Sequence, residues 1–333
     1  MTLRELGERG LIERVRRRLG TPPAGVLIGI GDDAALVAAD GARLLLTTDT
    51  LVEDVHFRRA TATFREIGAK ALAVNLSDIA AMGGEPRFAL LALALPPATR
   101  VADVDDLYEG LAEMAGRHGV ALVGGDTCAD PDRMVLTVTL VGGVAGPPLR
   151  RVGARPGDRI LVTGALGAAA AGLAALERGR LPVPPEVTAP LHRAHRVPEP
   201  RVREGRLIRE SGAATAMIDL SDGLATDLAH IARESGVGAE VRLPALPLSE
   251  ATRALARALD ADPWAWAVSG GEDYELLFTA APDRAAALAA RVTEVTGTPA
   301  TAIGEVRPAA DGVRFLDDAG RPVAVRPGFD HFA

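Results

Sequence analysis

The sequence predicts an α/β (α+β) fold divided into two domains. Short apolar runs with strand character alternate with longer segments in which apolar residues recur at helical spacing. At 333 residues the chain is long for one core, because domains average ~150 residues. The segment 146–158 is rich in Pro, Gly and Arg, so we expect a boundary there, with domains 1–148 and 149–333.

The first domain is expected to begin with a helix, because the apolar residues of 11–19 recur at helical spacing. Thr63 and Glu66 form a capping box that opens a long apolar helix through Met82. Another helix is predicted over 104–118. The strands predicted around these helices span residues 26–30, 34–37, 43–47, 88–95, 121–123 and 134–144.

The second domain alternates more regularly. Its predicted strands span residues 159–163, 214–218, 275–279 and 302–306, with another near Val241. Its predicted helices follow Gly167 and Gly223 and begin at Glu250 and Asp283, and a closing hairpin turns at 318–320. No fixed short repeat appears, which argues against solenoids and propellers.

Composition excludes several classes of protein. No apolar run approaches the ~18 residues of a membrane span, and residues 1–20 lack the apolar stretch of a secretory signal. A net charge of −7 disfavours nucleic acid as a partner. Cys128 is the single cysteine, which fits a reducing compartment, so we expect a cytoplasmic protein.

Acidic residues recur where the predicted strands end, next to Gly, Ser or Thr. They stand in Gly31-Asp32-Asp33, Thr47-Thr48-Asp49-Thr50, Gly124-Gly125-Asp126-Thr127 and Asp219-Leu220-Ser221-Asp222-Gly223, and Asp78 adds one from a helix. Any one of these alone is typical of a turn or a helix N-cap. Together they predict a magnesium site, because Mg²⁺ prefers one or two carboxylates plus substrate phosphates.

Several motifs of phosphate and hydrolase chemistry are missing. There is no G-x-x-x-x-G-K-[ST] loop, no zinc-ligand spacing and no G-x-S-x-G elbow. The run 163–167 could cradle a phosphate, but close packing of a helix on a strand explains its glycines equally well. Phosphoryl transfer held by carboxylates and magnesium therefore remains.

A series of segments in fixed order spans nearly the whole chain. They are GIGDDA (29–34), TDTLVEDVHF (48–57), NLSD (75–78), GGDT (124–127), DLSDG (219–223), SGGEDYEL (269–276) and GFDHF (328–332). The series resembles thiamine-monophosphate kinase. The aspartate-rich segments alone would fit the wider superfamily of aminoimidazole ribonucleotide synthetase-like proteins, and the segments containing His56, Glu272 and Phe329 narrow it to the kinase.

The resemblance implies the two-domain fold of that superfamily, with N-terminal strands forming a barrel across a homodimer and a C-terminal α/β domain beside it. The implied reaction is the last step of thiamine diphosphate biosynthesis, in which ATP phosphorylates thiamine monophosphate with the help of several Mg²⁺ ions. Motif positions imply metal ligands at Asp33, Thr47, Thr48, Asp49, Asp78, Asp126, Asp219 and Asp222. They imply nucleotide contacts at Gly125, Asp126, Arg151 and Ser221, with Arg150 as the alternative to Arg151, and thiamine-phosphate contacts at His56, Glu272 and Phe329.

This chemistry suits the residues. The acceptor phosphate is already ionised near neutral pH, since its second pKa is ~6, so we expect no residue to act as a general base. The metals would screen the repulsion between two phosphates. Phe329 and Glu272 could complement the thiazolium cation, although Phe329 could instead dock the tail into the core. His56 could bind the acceptor phosphate or simply pack.

Lys70, the only lysine, could form a salt bridge within its helix or face the phosphates. Two other functions stay open on the aspartates alone. One is an ATP-dependent synthetase of the same superfamily, and the other is a regulator that binds nucleotide without turnover. A selenide-using synthetase would want a cysteine near the N-terminus, and residues 1–48 have none. Direct transfer and a phospho-enzyme also stay open.

Overall fold

The computed structural model describes residues 2–332, and this part of the chain forms two β-sheets with helices packed on them. The strands are β1 (Val26–Ile28), β2 (Ala35–Ala39), β3 (Ala42–Val52), β4 (Glu85–Leu95), β5 (Ala121–Ala129), β6 (Val135–Gly143), β7 (Arg159–Thr163), β8 (Ala214–Asp219), β9 (Val237–Arg242), β10 (Leu276–Ala280), β11 (Ala300–Pro308), β12 (Val313–Leu316) and β13 (Pro322–Val323).

The helices pack on these sheets and against one another. They are α1 (Leu3–Leu19), α2 (Phe64–Ala81), α3 (Val101–His118), α4 (Ala168–Arg178), α5 (Pro185–Arg196), α6 (Val202–Glu210), α7 (Leu224–Ser235), α8 (Glu250–Leu259), α9 (Pro263–Ser269) and α10 (Pro282–Thr296). Among the helices of residues 2–332, none combines the length and the apolar character needed to cross a bilayer.

The first sheet has the strand order β1-β2-β3-β6-β4-β5, and only its β4–β5 pair is parallel within the described chain. Helix α2 covers one face. It begins at Thr63, whose hydroxyl accepts from the N–H of Glu66 in the predicted capping box, and it is buried along most of its length. Gly68 lets α3 approach closely, since a Cβ there would lie 2.0 Å from the carbonyl oxygen of Leu107. The other face of the sheet is largely exposed.

The second sheet has the order β13-β12-β9-β11-β7-β10-β8, and its strands β7 and β10 are buried on both faces. Alternate residues of β7 enter different cores: Ile160 and Val162 face one, and Leu161 faces the other. Ala80 and Ala81, at the end of α2, belong to this second core. The end of α2 therefore links the two sheets and lies where they meet.

Most predicted elements are present. The helix through Met82, the strand at 159–163 and the hairpin at 318–320 are confirmed. The strand predicted over 43–47 continues to Val52, so Asp49 lies in mid-strand and not at a strand end. The strand predicted over 121–123 likewise continues to Ala129.

Helices α5, α6 and α9 were not predicted. Pro190 lies inside α5, α6 carries three arginines and two glutamates in nine residues, and α9 has only seven residues. A proline within a helix removes a backbone donor, and helices of seven to nine residues offer few turns over which apolar periodicity can be recognised. Their helical state comes from packing on neighbouring elements, which local sequence does not reveal.

Candidate active site

Three carboxylates from separate elements meet at the junction of the two sheets. Asp33 lies in the loop between β1 and β2, Asp78 lies near the end of α2, and Asp219 ends β8. Each offers an oxygen within 4.8 Å of the others. Burial raises the pKa of Asp33 to about 7, that of Asp219 to about 6 and that of Asp78 well above its usual range. Carboxylates so close together require a cation or protons.

The cluster fits a divalent metal. Oδ2 of Asp33 is buried and has no hydrogen-bond partner among residues 2–332, so a ligand position is open there. The ligand atoms are hard oxygens, which Mg²⁺ prefers. Asp33, Asp78 and Asp219 are therefore the residues that could hold the ion.

Neighbouring polar groups orient these carboxylates. The Thr47 hydroxyl donates to Asp78, and the Ser77 hydroxyl donates to Oδ2 of Asp219 at 2.6 Å. Oδ1 of Asn75 accepts from the N–H of Asp49 at 3.1 Å. Burial also raises the pKa of Asp49 to about 6. Thr47 and Asp49 thus lie on the same face of β3 as the cluster.

Two arginines contact the acidic loop after β1. Arg151 donates from Nε and Nη2 to Oδ1 of Asp33, at 3.1 and 2.5 Å. Arg150 donates from Nε to Oδ2 of Asp32 at 2.9 Å. The side chain of Arg151 is 22% exposed against 46% for Arg150, so Arg151 is the arginine that lies within the cluster.

The loop after β8 is held by a further carboxylate. Oδ2 of Asp227 accepts from the N–H groups of Asp222 and Gly223, at 3.2 and 3.0 Å. The carbonyl of Asp222 accepts from the N–H of Phe329 at 3.0 Å, so the C-terminal tail docks on this loop. Burial raises the pKa of the Asp222 carboxyl to about 6. Asp222 is close enough to Asp219 for their charges to interact, but it is not one of the three carboxylates that lie within 4.8 Å of one another.

Glu272 takes part in a buried ion network. Its Oε1 lies 2.6 Å from Nζ of Lys70, and its Oε2 lies 3.0 Å from Nδ1 of His195. Nζ of Lys70 also donates to the carbonyl of His56 at 2.9 Å. Burial alone would raise the pKa of Glu272, but Lys70 and His195 outweigh it and lower the pKa to about 2. Of the two alternatives for Lys70, a salt bridge within its own helix is wrong, because its partner Glu272 lies beyond β8.

His56, Phe329 and His331 form a ring cluster. The centroids of the His56 and His331 rings lie 5.0 Å apart, and Phe329 meets His331 edge-on at 4.8 Å. Nδ1 of His56 accepts from the N–H of Val52 at 3.0 Å. Phe329 is 49% exposed, so its ring is not docked into the core as one alternative supposed. The predicted substrate residues His56 and Phe329 therefore share one region.

Three predicted residues lie apart from the cluster. Thr48 faces away from α2, and its hydroxyl donates to the carbonyl of Val138 at 3.0 Å. Gly125 and Asp126 lie on the exposed edge strand β5, three strand positions from β3, which is about 14 Å at ~4.8 Å per strand. Their metal and nucleotide roles stay predictions.

The possible phosphate cradle at 163–167 has an internal occupant. The carboxylate of Asp273 accepts from the N–H of Gly167 at 2.6 Å and from that of Ala169 at 3.2 Å. The first turn of α4 is thus satisfied by a side chain of the same chain. Packing, not phosphate binding, explains these glycines.

Ser77, His195 and Asp227 were missed by the sequence analysis. Ser77 stands between Asn75 and Asp78, so the NLSD segment itself contained a signal for it. Asp227 is the first acid after the DLSDG segment, which is a weaker signal. Nothing in the local sequence distinguishes His195, since only the fold brings it to Glu272.

Comparisons with known proteins show the family to which the chain belongs. Residues 31–144 match AIR synthase related protein, N-terminal domain, and residues 155–317 match AIR synthase related protein, C-terminal domain. The chain is 41% identical to the thiamine-monophosphate kinase of Salmonella typhimurium, over 98% of each sequence.

Solved structures extend the likeness to the whole fold. AaThiL complexed with AMPPCP and TMP is 34% identical, with a TM-score of 0.87 and coverage of 99% of both chains. The thiamine-monophosphate kinase from Stenotrophomonas maltophilia is 40% identical, with a TM-score of 0.77 and coverage of 94% of this chain and 96% of that one.

Proposed function

The chain belongs to the thiamine-monophosphate kinase family of AIR synthase related proteins, and we infer that it transfers the terminal phosphate of ATP to thiamine monophosphate. The products are ADP and thiamine diphosphate. The observation that carries the inference is the Asp33–Asp78–Asp219 cluster, to which both sheets contribute, in a chain that matches AaThiL with a nucleotide analogue and TMP over 99% of its length.

The transfer balances without a proton acceptor. An oxygen of the thiamine-bound phosphate forms a bond to the terminal phosphorus of ATP, and the bond from that phosphorus to the bridging oxygen breaks, so ADP leaves with the electron pair. Because the attacking phosphate is already ionised, the absence of an assigned general base is no obstacle. Direct transfer needs no enzyme nucleophile, and we adopt it as the simpler course.

The main task of the protein is to bring two anionic groups together. Asp33, Asp78 and Asp219, with Asp49 and Asp222 nearby, would hold Mg²⁺, which supplies charge neutralisation for the phosphates. Arg151 would contact the nucleotide, since it lies within the cluster and presents a planar donor fork. Thr47, which donates to Asp78, would keep that carboxylate in place.

The ring cluster and Glu272 would form the thiamine side of the site. Phe329 presents a half-exposed ring, and an aromatic face can hold a thiazolium cation by ~0.5–2 kcal/mol. His56 lies beside it and could donate to the acceptor phosphate. Ser221 connects the two halves of the site, because its carbonyl accepts from the N–H of Glu272 at 2.8 Å.

A homodimer is part of this proposal. Strand β5 is an edge strand exposed along its whole length, and exposed apolar side chains lie on it (Leu122 and Val123) and on the neighbouring β4 (Phe88 and Leu90). An uncovered apolar edge of this kind favours pairing with another chain. A second copy seated there would bring a neighbouring surface to Thr48, Gly125 and Asp126, whose predicted roles would then depend on the dimer.

We also propose the domain boundary at 148/149 and a cytoplasmic location. The two sheets end and begin at Gly143 and Arg159, which supports a boundary between them. Cys128 is free and exposed, which supports a reducing compartment.

The test is product analysis with the full chain, Mg²⁺-ATP and thiamine monophosphate. We expect equimolar ADP and thiamine diphosphate, and we expect turnover to collapse in Asp219→Asn while the fold survives. ADP formation only with a different acceptor would support a synthetase instead. Magnesium-dependent ATP binding without any product would support a regulator.

A further inference from the structure

We propose that Lys70, assisted by His195, is a positioning residue for the thiamine monophosphate site, which it shapes by fixing His56 and Glu272 relative to each other. This inference rests on the proposed function. It assigns a role to the only lysine of the chain and to a histidine that no motif identified.

The burial of Lys70 is the first observation. The residue is 2% exposed and is among the largest side chains that are fully buried in residues 2–332. A buried ammonium is costly unless charge and hydrogen bonds compensate it. Its compensation comes from the Glu272 carboxylate at 2.6 Å and the His56 carbonyl at 2.9 Å. Both partners are residues predicted to contact thiamine phosphate.

The contacts join separate parts of the fold. Lys70 lies on α2, His56 lies in the turn after β3, and Glu272 lies between α9 and β10. His195, at the end of α5, reaches the second oxygen of Glu272 at 3.0 Å. His56, Lys70 and His195 also line one small cavity. The Lys70 ammonium thus sets the distance between His56 and Glu272.

The backbone around Glu272 supports an effect of Lys70 on thiamine monophosphate binding that ATP binding does not share. Glu272 has φ +67° and Tyr274 has φ +49°, backbone conformations that residues other than glycine adopt at some cost in free energy. The N–H of Glu272 is held by the Ser221 carbonyl at 2.8 Å, and that of Tyr274 by the Leu220 carbonyl at 2.9 Å. These bonds do not involve Lys70, so replacing Lys70 frees the Glu272 side chain more than it frees the backbone beside the loop 219–223.

The turn that carries His56 would likewise keep its own hydrogen bonds when Lys70 is replaced. Its internal hydrogen bonds, such as that from the His56 N–H to the Val52 carbonyl at 2.9 Å, form without Lys70. Loss of the ammonium would remove the contact that fixes this turn against the second sheet. The His56 ring would then lose its fixed distance from His331, the ring that Phe329 contacts edge-on. The expected deficit therefore concerns thiamine monophosphate and not ATP.

The experiment is steady-state kinetics of full-length Lys70→Met, with each substrate varied while the other is saturating. We expect the KM for thiamine monophosphate to rise at least about tenfold, because small misplacements of binding groups cost that much or more, while the KM for ATP stays within about twofold. His195→Asn should show the same selectivity with a smaller rise, and it decides the matter if Lys70→Met does not fold.

Arg201→Met is the matched control. It breaks another buried ion pair, with Arg201 contacting Glu275 at 2.5 and 2.7 Å, and it should lower thermal stability without changing the KM for thiamine monophosphate selectively. Equal changes in both KM values, or a loss of stability alone in both Lys70→Met and His195→Asn, would overturn the positioning role. A wild-type chain that forms no thiamine diphosphate would overturn the proposed function, and this inference with it.

Discussion

The substitution Asp219→Asn should stabilise the metal-free protein and abolish its response to magnesium. The oxygens of Asp33, Asp78 and Asp219 lie within 4.8 Å of one another. At that distance and an effective dielectric constant of about 20, two full charges repel by about 3.5 kcal/mol. Protons and Arg151 relieve much of this, so we expect the amide to recover about 1–3 kcal/mol at pH 8. The amide oxygen still accepts from Ser77.

The sign of the pH dependence follows from the raised pKa of Asp219, about 6. The carboxyl titrates at pH ~4 in the unfolded chain and at about pH 6 in the folded protein. Between these two pH values the folded state binds more protons than the unfolded state, so the stability of the wild type falls as pH rises. The advantage of Asp219→Asn should therefore be large at pH 8 and small at pH 4. In a thermal melt at pH 8 without metal, we expect an increase in Tm of roughly 1.5–4.5 °C.

Adding MgCl₂ supplies the second arm of this experiment. The wild-type Tm should rise, because bound metal neutralises the cluster, and the Tm of the variant should barely move. Asp158→Asn is the matched control: Asp158 is 5% exposed and accepts from Thr215 at 2.7 Å, outside the cluster, so this variant should lose stability yet keep the magnesium response. A lower Tm for metal-free Asp219→Asn at pH 8, or an intact magnesium shift, would refute the reasoning.

Three further predictions concern packing, a helix cap and the nucleotide. Gly68→Ala should lower the free energy of unfolding by about 1–3 kcal/mol in urea titrations, because its Cβ would lie 2.0 Å from a carbonyl oxygen of α3, whereas Gly116→Ala, with open space around its Cβ, should be neutral or stabilising. Burial raises the pKa of Asp273 to about 7, so wild-type stability should fall as pH rises from about 4 to about 7 and Asp273→Asn should flatten that part of the curve. Arg151→Lys should lower kcat/KM for ATP at least about tenfold and Arg150→Lys much less, since only Arg151 makes the two-nitrogen contact within the cluster; equal effects would contradict the assignment.

Local signals in the sequence were enough for much of the fold. The Thr63–Glu66 capping box and the apolar run behind it give α2 almost to the residue, because capping and burial act within a few turns. The extension of β3 to Val52 could not be predicted from local sequence. Thr48 and Thr50 face outward while Asp49 faces α2, so polar residues occupy both faces and hide the alternation that identifies a strand.

The candidate site, too, could be predicted from local sequence only in part. Each of the three clustered aspartates was found from its motif, because glycines and hydroxyls stand beside it. The partners that hold the site were not found where they lie far apart in sequence: His195 is 77 positions from Glu272 by number, and nothing near it in sequence marks its role. Long-range ion pairs depend on how helices dock, and that information is spread over entire cores.

The geometry of the cluster depends on how the end of α2 is packed. Asp78 lies one helical turn before Ala81, and Ala80 and Ala81 are buried in the core of the second sheet, which also supports Asp219 at the end of β8. A Cβ on Gly205 would lie 2.1 Å from the Ala80 carbonyl oxygen, so α6 packs very closely against the end of α2. Because packed interiors resist small displacements, this contact fixes Asp78 against Asp219 more firmly than the loops could. The surrounding loops can then admit and release two phosphorylated substrates while Asp78 and Asp219 keep their spacing.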